Sequence, residues 1–133
     1  MATNKRVNSI AYTAGQDLSS HQFRIMQIAS DGQIDPVTDV TTPILGVLLN
    51  TPSAAGEGAE VAVEGSDVKL EAGAALDEGE LVVAVAGGRG SAGPSAGTAV
   101  GTAWILGVCT QAASGSGAFA GVLVRPFFYV RNA

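Results

Sequence analysis

Few residues in this sequence could perform chemistry, and they do not form a recognisable constellation. His21 is the only histidine; with a serine such as Ser19 and with Asp17 it would supply the residue types of a hydrolase triad, but no nucleophile signature surrounds any serine. Cys109 is the only cysteine and lies in an apolar run, which favours a small buried side chain and permits no intrachain disulfide. One histidine and one cysteine far apart in the chain also lack the spacing of a metal site.

Two further patterns suggest chemistry only at first sight. Residues 87–93 (GGRGSAG) are rich in glycine like a phosphate-binding loop, but no Gly-Lys-Ser/Thr and no helical pattern follow them. Asp77 and Glu78 are adjacent carboxylates, yet the aromatic residues that would line a sugar-binding cleft are scarce. We therefore predict that the protein is not an enzyme and that it has no cofactor, metal or small-molecule substrate.

An internal duplication organises the chain. Residues 44–63 (ILGVLLNTPSAAGEGAEVAV) return without a gap at residues 105–124 (ILGVCTQAASGSGAFAGVLV), with nine identical positions at an offset of 61. Each copy contains an apolar run, a stretch of small turn-forming residues and a second run with alternating valines, which is the pattern of a β-hairpin. The sequence thus predicts equivalent hairpins at residues 44–65 and 105–126.

The composition indicates an all-β protein. The chain has 18 glycines and only 14% charged residues, with many valines; both residue types are poor in helix interiors and suit short strands joined by tight turns. We predict a single small β-barrel or β-sandwich. Residues 21–133 would form this β-rich body, and the polar residues 1–20 would form an extended N-terminal arm outside the core.

Charge is segregated along the chain and limits the possible partners. The net charge is −5, and residues 57–80 are strongly acidic with Lys69 as their only basic residue, whereas Lys5, Arg6, Arg125 and Arg131 make the termini basic. Nucleic-acid binding needs a basic face with interleaved aromatics, so we predict none for the body. We also expect no membrane association and no secretion, since the sequence has neither an apolar span of about 20 residues nor an apolar signal core at its start.

Three segments carry local predictions. Residues 22–28 (QFRIMQI) alternate and precede Asp31-Gly32, which predicts a strand followed by a turn. Residues 86–101 are rich in Gly, Ser and Ala, which predicts a flexible surface loop. Trp104, at the start of a predicted strand, is expected to pack in the core.

The order of these motifs resembles the small capsid decoration, or cement, proteins of tailed bacteriophages. The resemblance covers roughly residues 24–124 and rests on ILGV, AGEGAEVAVEG, VKLEAGAALDEGELVVAV, a glycine-rich segment and WILGVCTQAASGSGAFAGVLV. It implies a β-rich body, assembled as a homotrimer on the outer capsid surface of the virion after synthesis in the bacterial cytoplasm. It also implies that the major capsid protein is the partner, that the protein stabilises the mature shell by bridging capsomers, and that no catalytic residue is present.

A first hypothesis places capsid binding in the predicted arm. An extended segment can add a strand to an exposed sheet edge on the capsid lattice. Basic residues would steer it to an acidic capsid surface, and residues 7–12 (VNSIAY) would pair. The candidate capsid-binding residues are Lys5, Arg6, Val7, Asn8, Ser9, Ile10, Ala11 and Tyr12.

A second hypothesis places a subunit interface at aromatic residues near the C-terminus. Successive strand residues point to opposite faces, so Phe127 and Tyr129 should lie on one side and Phe128 on the other, and both faces need cover. Either the strand is central and packed on both sides within the monomer, or another subunit covers one face. Between the two hairpins, Glu57 and Glu60 become Ala118 and Gly121, while Gly58 becomes Phe119. This divergence suggests that the first hairpin faces solvent and the second a neighbour. The candidate interface residues are Phe119, Phe127, Phe128 and Tyr129.

Two alternatives stay open at this point. A biotinyl- or lipoyl-type carrier domain shares valine-rich hairpins and internal duplication, but it needs a modifiable lysine exposed at a hairpin tip, and Lys69 lies within a predicted strand. A phage tail or fibre domain would also be β-rich, trimeric and glycine-rich, although fibres usually carry longer axial repeats.

Overall fold

The computed structural model describes residues 2–93 and 101–131, which form two antiparallel five-stranded sheets. The all-β prediction is confirmed, and the stacked sheets make a sandwich; within the described residues they do not close into a barrel. None of these residues forms a helix long and apolar enough to cross a membrane. The strands are β1 (Ser9–Thr13), β2 (Ile25–Ile28), β3 (Ile34–Pro36), β4 (Gly46–Leu48), β5 (Gly58–Ala62), β6 (Asp67–Glu71), β7 (Leu81–Val85), β8 (Arg89–Ala92), β9 (Gly101–Gln111) and β10 (Phe119–Arg131).

The two sheets have the same topology. The first sheet has the order β1-β5-β4-β2-β3 and the second the order β6-β10-β9-β7-β8, so each strand of the first sheet has a counterpart five strands later. The predicted hairpins are confirmed as β4–β5 and β9–β10. The duplication therefore extends beyond the hairpin to a complete five-stranded unit.

Strand register is duplicated as well. Val47 pairs with Ala62 in the first sheet, and Val108 pairs with Leu123 in the second, at the offset of 61 seen in the sequence. The counterpart of Ser9 is Asp67, 58 residues later, because these residues pair with Ala62 and Leu123 respectively. By the same pairing rule β2 and β7 are related by 56 residues. Changes in connection length explain why the offset varies while the pairing does not.

The glycine of each ILGV motif is required by close backbone contact. A Cβ on Gly46 would collide with the carbonyl oxygen of Ala62, and a Cβ on Gly107 would collide with that of Leu123. Any side chain here would push apart the strands of its hairpin. The repeated ILGV is thus a backbone requirement that each copy of the unit meets in the same way.

The two equivalent sheets meet through non-equivalent faces. We call the face by which the first sheet packs on the second the docking face, and the face of the second sheet that it covers the receiving face. The docking face of the first sheet (Ile25, Val47, Ala62) is fully buried in the main core cluster. That cluster also contains the receiving face of the second sheet (Val68, Leu70, Ala84). The opposite side of the first sheet has its own core, in which Leu18 and Met26 are fully buried.

A separate N-terminal arm is not confirmed. Residues 9–13 form β1, a strand of the first sheet paired with β5, and Ala14 and Leu18 are fully buried. Residues 5 and 6 bond to the backbone of Asp67 in the second sheet. The segment packs on the body because its alternate apolar residues complete the core of the first sheet, a pattern that its polar composition concealed.

Two other segments differ from expectation. The strand predicted for residues 22–28 begins only at Ile25, because Phe23 adopts a positive φ of 63° that no strand accepts. The loop predicted for residues 86–101 is wrong for its first half, where a 3-10 turn (Ala86–Gly88) leads into β8. A Cβ on Gly90 of β8 would meet the end of the Leu70 side chain, which would have to shift. Residues 94–100 of that loop lie outside the described residues.

Other local predictions are confirmed. Gly32 makes the turn between β2 and β3 with a φ of 82°. Cys109 is buried, and Trp104 packs against the main core while touching Phe128, with ring centroids 5.3 Å apart. Tyr129 packs with Val83, Ala103 and Ile105 on the other side of the second sheet, so the aromatic residues of β10 do alternate between faces.

Candidate interaction surfaces

Strand β1 has an open backbone edge. It lies at the end of the first sheet and pairs only with β5. The Asn8 carbonyl accepts from Val63 N–H, and Ala14 N–H donates to Glu57, so even-numbered residues of β1 face β5. By antiparallel alternation, the N–H and C=O groups of Ser9, Ala11 and Thr13 point away from the sheet.

The equivalent edge of the second sheet is covered. The counterparts of Ser9, Ala11 and Thr13 are Asp67, Lys69 and Glu71. Their amides donate to Arg6 C=O (2.8 Å), Asn4 Oδ1 (2.8 Å) and Phe23 C=O (2.8 Å), respectively. The β1 amides have no such partners among residues 2–93 and 101–131.

Of the predicted capsid-binding residues, Ser9 to Tyr12 belong to β1, whereas Lys5 and Arg6 lie beside Asp67 of the second sheet. Lys5 and Arg6 are exposed, Val7 and Ile10 are each about half exposed, and Tyr12 is partly buried against the first core. Asn8 is fixed by Ser66, whose hydroxyl accepts from Asn8 N–H (2.8 Å) and donates to Asn8 C=O (3.0 Å). The structure thus brings residues 5–12 together as one extended surface held against the body.

The predicted subunit-interface residues do not lie together. Phe127 lines a groove, Phe128 covers Trp104 on the opposite side of the sheet, and Tyr129 packs on Ile105. Phe119 is the first residue of β10, distant from the other three, and its ring meets that of Phe23 edge-on, with ring centroids 5.7 Å apart. These four residues therefore do not form one patch.

The groove beside Phe127 is an apolar surface that sequence reasoning missed. It has a volume of about 460 Å³ and is lined by Leu81, Gly107, Val108, Pro126 and Phe127, with Glu64 and Arg125 at its margin. Leu123, on the same face of β10, is 37% exposed. One signal was present in the sequence: the small Ala62 of the first copy is replaced by the larger, exposed Leu123 in the second.

A cation-aromatic cluster joins the two sheets on one side. Lys69 Nζ lies 5.2 Å from the centre of the Phe23 ring and 5.8 Å from that of Phe119. This places the ammonium group over two π faces, a favourable arrangement worth roughly 0.5–1 kcal/mol where partly exposed. Lys69 itself lies in the middle of β6, as the sequence predicted.

An ion cluster joins the sheets nearby. Glu71 Oε2 lies 3.3 Å from Arg24 Nη2 and 2.8 Å from Arg89 Nε, and the Glu71 side chain is only 15% exposed. The Arg89 Nε–H is not aligned as a hydrogen bond, so that contact is a coulombic pair. Arg24 also donates from Nη1 to Gly87 C=O (3.3 Å). One carboxylate therefore compensates two cations, one from the first sheet and one from the second.

Burial and local hydrogen bonds shift the pKa values of several titratable groups. Partial burial lowers the pKa of His21, helped by the nearby Arg24 cation, and Ser20 Oγ lies 3.3 Å from its Nδ1. Hydrogen bonds from Ser19 lower the pKa of Asp17. Burial raises the pKa of the Cys109 thiol. Within residues 2–93 and 101–131, no three His, Cys, Asp or Glu side chains are grouped to hold a metal ion.

No protein-family model matches the sequence, and no curated protein matches it either. The two surfaces that the fold leaves open, the β1 edge and the groove beside Phe127, are therefore the features from which a function is inferred.

Proposed function

We propose that this chain is a structural virion protein that binds the outer surface of the mature capsid of a tailed bacteriophage. Its partner would be the major capsid protein, and it would stabilise the shell by bridging neighbouring capsomers as a homotrimer. The observation that carries the proposal is the open edge of β1, which lies within the segment that the resemblance to decoration proteins led us to expect at the capsid.

The β1 edge suits strand addition by a capsid segment. The outward N–H and C=O groups of Ser9, Ala11 and Thr13 can form a new ladder, and main-chain hydrogen bonds supply affinity in this mode of recognition. The exposed Val7 side chain adds apolar contact, and Lys5 and Arg6 add positive charge at one end. Such an edge is normally blocked in a free protein, as it is in the second sheet, so an open one favours a partner.

The rest of the molecule suits a clamp. Two stacked sheets with a shared core hold the β1 edge in a fixed position, which lowers the entropy cost of binding. If three chains act together, each further contact becomes intramolecular after the first, and avidity can exceed single-site affinity by ~10²–10⁴. Weak individual contacts would then suffice for stable bridging.

The placement of Lys69 favours this proposal over a carrier domain. A carrier lysine must reach a modifying enzyme from an exposed hairpin tip, whereas Lys69 is half-buried in mid-strand with its ammonium over Phe23 and Phe119. Electron microscopy of the virion separates the proposed capsid location from a tail or fibre location.

A substitution at Ala11 tests the proposal without disturbing the fold. Proline at this position removes an outward N–H, and edge strands tolerate proline there. Removing residues 2–15 instead would expose the core that Ala14 completes. We expect Ala11→Pro to lose binding to empty expanded capsids of the encoding phage, measured by co-sedimentation, while unfolding at nearly the wild-type temperature.

Ala11→Val is the matched control, since valine favours strands and keeps the N–H. It should bind like the wild type. Unreduced binding of Ala11→Pro would show that the edge is not the capsid contact, and absence of binding by the wild type would overturn the proposed function itself.

A further inference from the structure

The two sheets expose different parts of one repeated surface. We infer that chains associate head to tail: the docking face of the second sheet (Leu81, Val108, Leu123) binds the receiving face of the first sheet (Ile10, Tyr12, Ile28) of a second copy. This contact would repeat, between chains, the contact that already joins the two sheets within one chain. The inference concerns the free protein and stands or falls separately from capsid binding.

The docking faces differ in burial although they are equivalent in register. Ile25, Val47 and Ala62 of the first sheet are all fully buried beneath the second sheet. Their counterparts Leu81, Val108 and Leu123 border the groove or its rim, and Leu123 is 37% exposed. The second sheet therefore has an apolar docking face at equivalent register positions, with no sheet against it in the described chain.

The receiving faces show the complementary difference. Val68, Leu70 and Ala84 of the second sheet are buried because the first sheet lies over them. Their counterparts in the first sheet are Ile10, Tyr12 and Ile28, because β1 is equivalent to β6 and β2 is equivalent to β7. Ile10 is 48% and Ile28 is 47% exposed. Large apolar residues thus remain uncovered where the second sheet is covered.

Several side chains bridge the two sheets within one chain. Their counterparts at the proposed contact between two chains are small or compatible in charge. Phe23, Lys69 and Phe119 correspond to Gly79, Ala11 and Gly58, so no bulky group keeps two chains apart. The ion cluster of Arg24, Glu71 and Arg89 corresponds to Glu80, Thr13 and Gln33, which sets one carboxylate opposite two hydrogen-bond donors. No like charges oppose each other among these counterparts.

The geometry of the contact determines the kind of assembly. A docking face meets a receiving face, so the contact is heterologous, and repeated heterologous contacts close into rings or extend into filaments. A ring of three chains would contain six sheets joined by six similar contacts. We therefore expect a closed oligomer in solution, and not a symmetric pair that buries two docking faces against each other.

Two single variants and their mixture test the inference. Leu123→Arg inactivates the docking face, and Ile28→Glu inactivates the receiving face; both positions are exposed, so both variants should unfold near the wild-type temperature. Analytical ultracentrifugation should show an oligomeric wild type and two monomeric variants. An equimolar mixture should form a one-to-one dimer, because each variant keeps the face that the other has lost.

The adjacent aromatics supply a matched control. Phe128→Ser removes an exposed ring outside both faces and should leave the oligomer intact, whereas Phe127→Ser alters the groove and should weaken it. If a charged variant unfolds early, Leu123→Ser and Ile28→Ser serve in the same mixture. A monomeric wild type, an oligomer that survives either face variant, or a mixture that stays monomeric would overturn the inference. Capsid binding by such a monomer would leave the proposed function standing.

Discussion

Ala62 and Leu123 occupy equivalent positions on equivalent strands, yet Ala62 is fully buried between the sheets and Leu123 is 37% exposed. The small residue stands where the sheets of one chain meet, and the large one stands where nothing in the described chain covers it. A larger apolar side chain at an exposed position costs solubility unless another surface covers it. The pair therefore links the internal duplication to the way in which chains would assemble.

The ILGV glycines should be equally intolerant of a side chain in both hairpins. Gly46→Ala and Gly107→Ala each place a Cβ against a carbonyl oxygen of the facing strand, so we expect each to lower the free energy of unfolding by roughly 1–3 kcal/mol in urea titrations. Gly58→Ala is the control, because a Cβ there meets nothing within 4 Å. A tolerated Gly107→Ala would contradict the close strand approach.

Removal of the Glu71 carboxylate charge should destabilise the sandwich. Glu71→Gln would leave Arg24 and Arg89 without their shared counter-ion in a site that is only 15% exposed at Glu71, and loss of one partner of a buried pair costs roughly 3 kcal/mol. Glu64→Gln, at an exposed position, should have almost no effect. Equal unfolding midpoints for both variants would show that the cluster contributes little.

Mild acid should weaken the fold through His21. Its pKa is below 6.5 in the folded protein, because burial and the facing Arg24 cation disfavour the imidazolium, while Asp17 and Glu71 oppose that shift only in part. The unfolded chain therefore binds the proton first, and stability falls as the pH drops from 6.5 through the folded pKa. We expect the unfolding temperature of His21→Gln to fall less over this range than that of the wild type.

Carboxylates with lowered pKa values affect the stability of the fold in a lower pH range than His21 does. Asp17 and Asp39 are hydrogen-bonded by Ser19 and Thr41, so the stability that they contribute is lost only below about pH 3.8. If His21→Gln and the wild type lose stability in parallel between pH 7 and 5, the histidine is not the responsible group.

Cys109 should be unreactive in the folded protein. The thiol is 1% exposed and burial raises its pKa, so the thiolate needed for alkylation is scarce and inaccessible. We expect iodoacetamide labelling to proceed only at the rate of unfolding and to become fast in denaturant. Because the chain has one cysteine, a single mass increment reports the reaction, and rapid labelling without denaturant would contradict the burial.

The sequence predicts the hairpins well because identical residues recur at a constant offset. Gly46 and Gly107 recur since both approach a facing carbonyl, and the alternate valines recur since both hairpins bury one face. The rest of the duplication is hidden. Connections of different length change the offset from 61 to 58 and 56, and residues such as Met26 and Val82 fill equivalent places without identity.

The candidate surfaces could be predicted only in part. The position and charge of residues 5–12 predict a capsid-binding arm, and this stays a prediction. The polar composition of the segment concealed that Ala14 and Leu18 anchor it in the core. The divergence of the repeats grouped Phe119 with Phe127, although Phe119 packs on Phe23 at the opposite end of β10. The docking face of the second sheet was missed because its exposure depends on how the two sheets stack. Apart from the replacement of Ala62 by Leu123, the local sequence pattern does not indicate that stacking.

The location of the protein on the virion tests the central claim most directly. Gold-labelled antibody against this chain should bind the outer capsid surface of intact virions of the encoding phage in electron micrographs, and a reconstruction should place it as a bridge between capsomers. Label confined to the tail or fibres, or virions that carry none of the protein, would contradict its assignment as a capsid decoration protein.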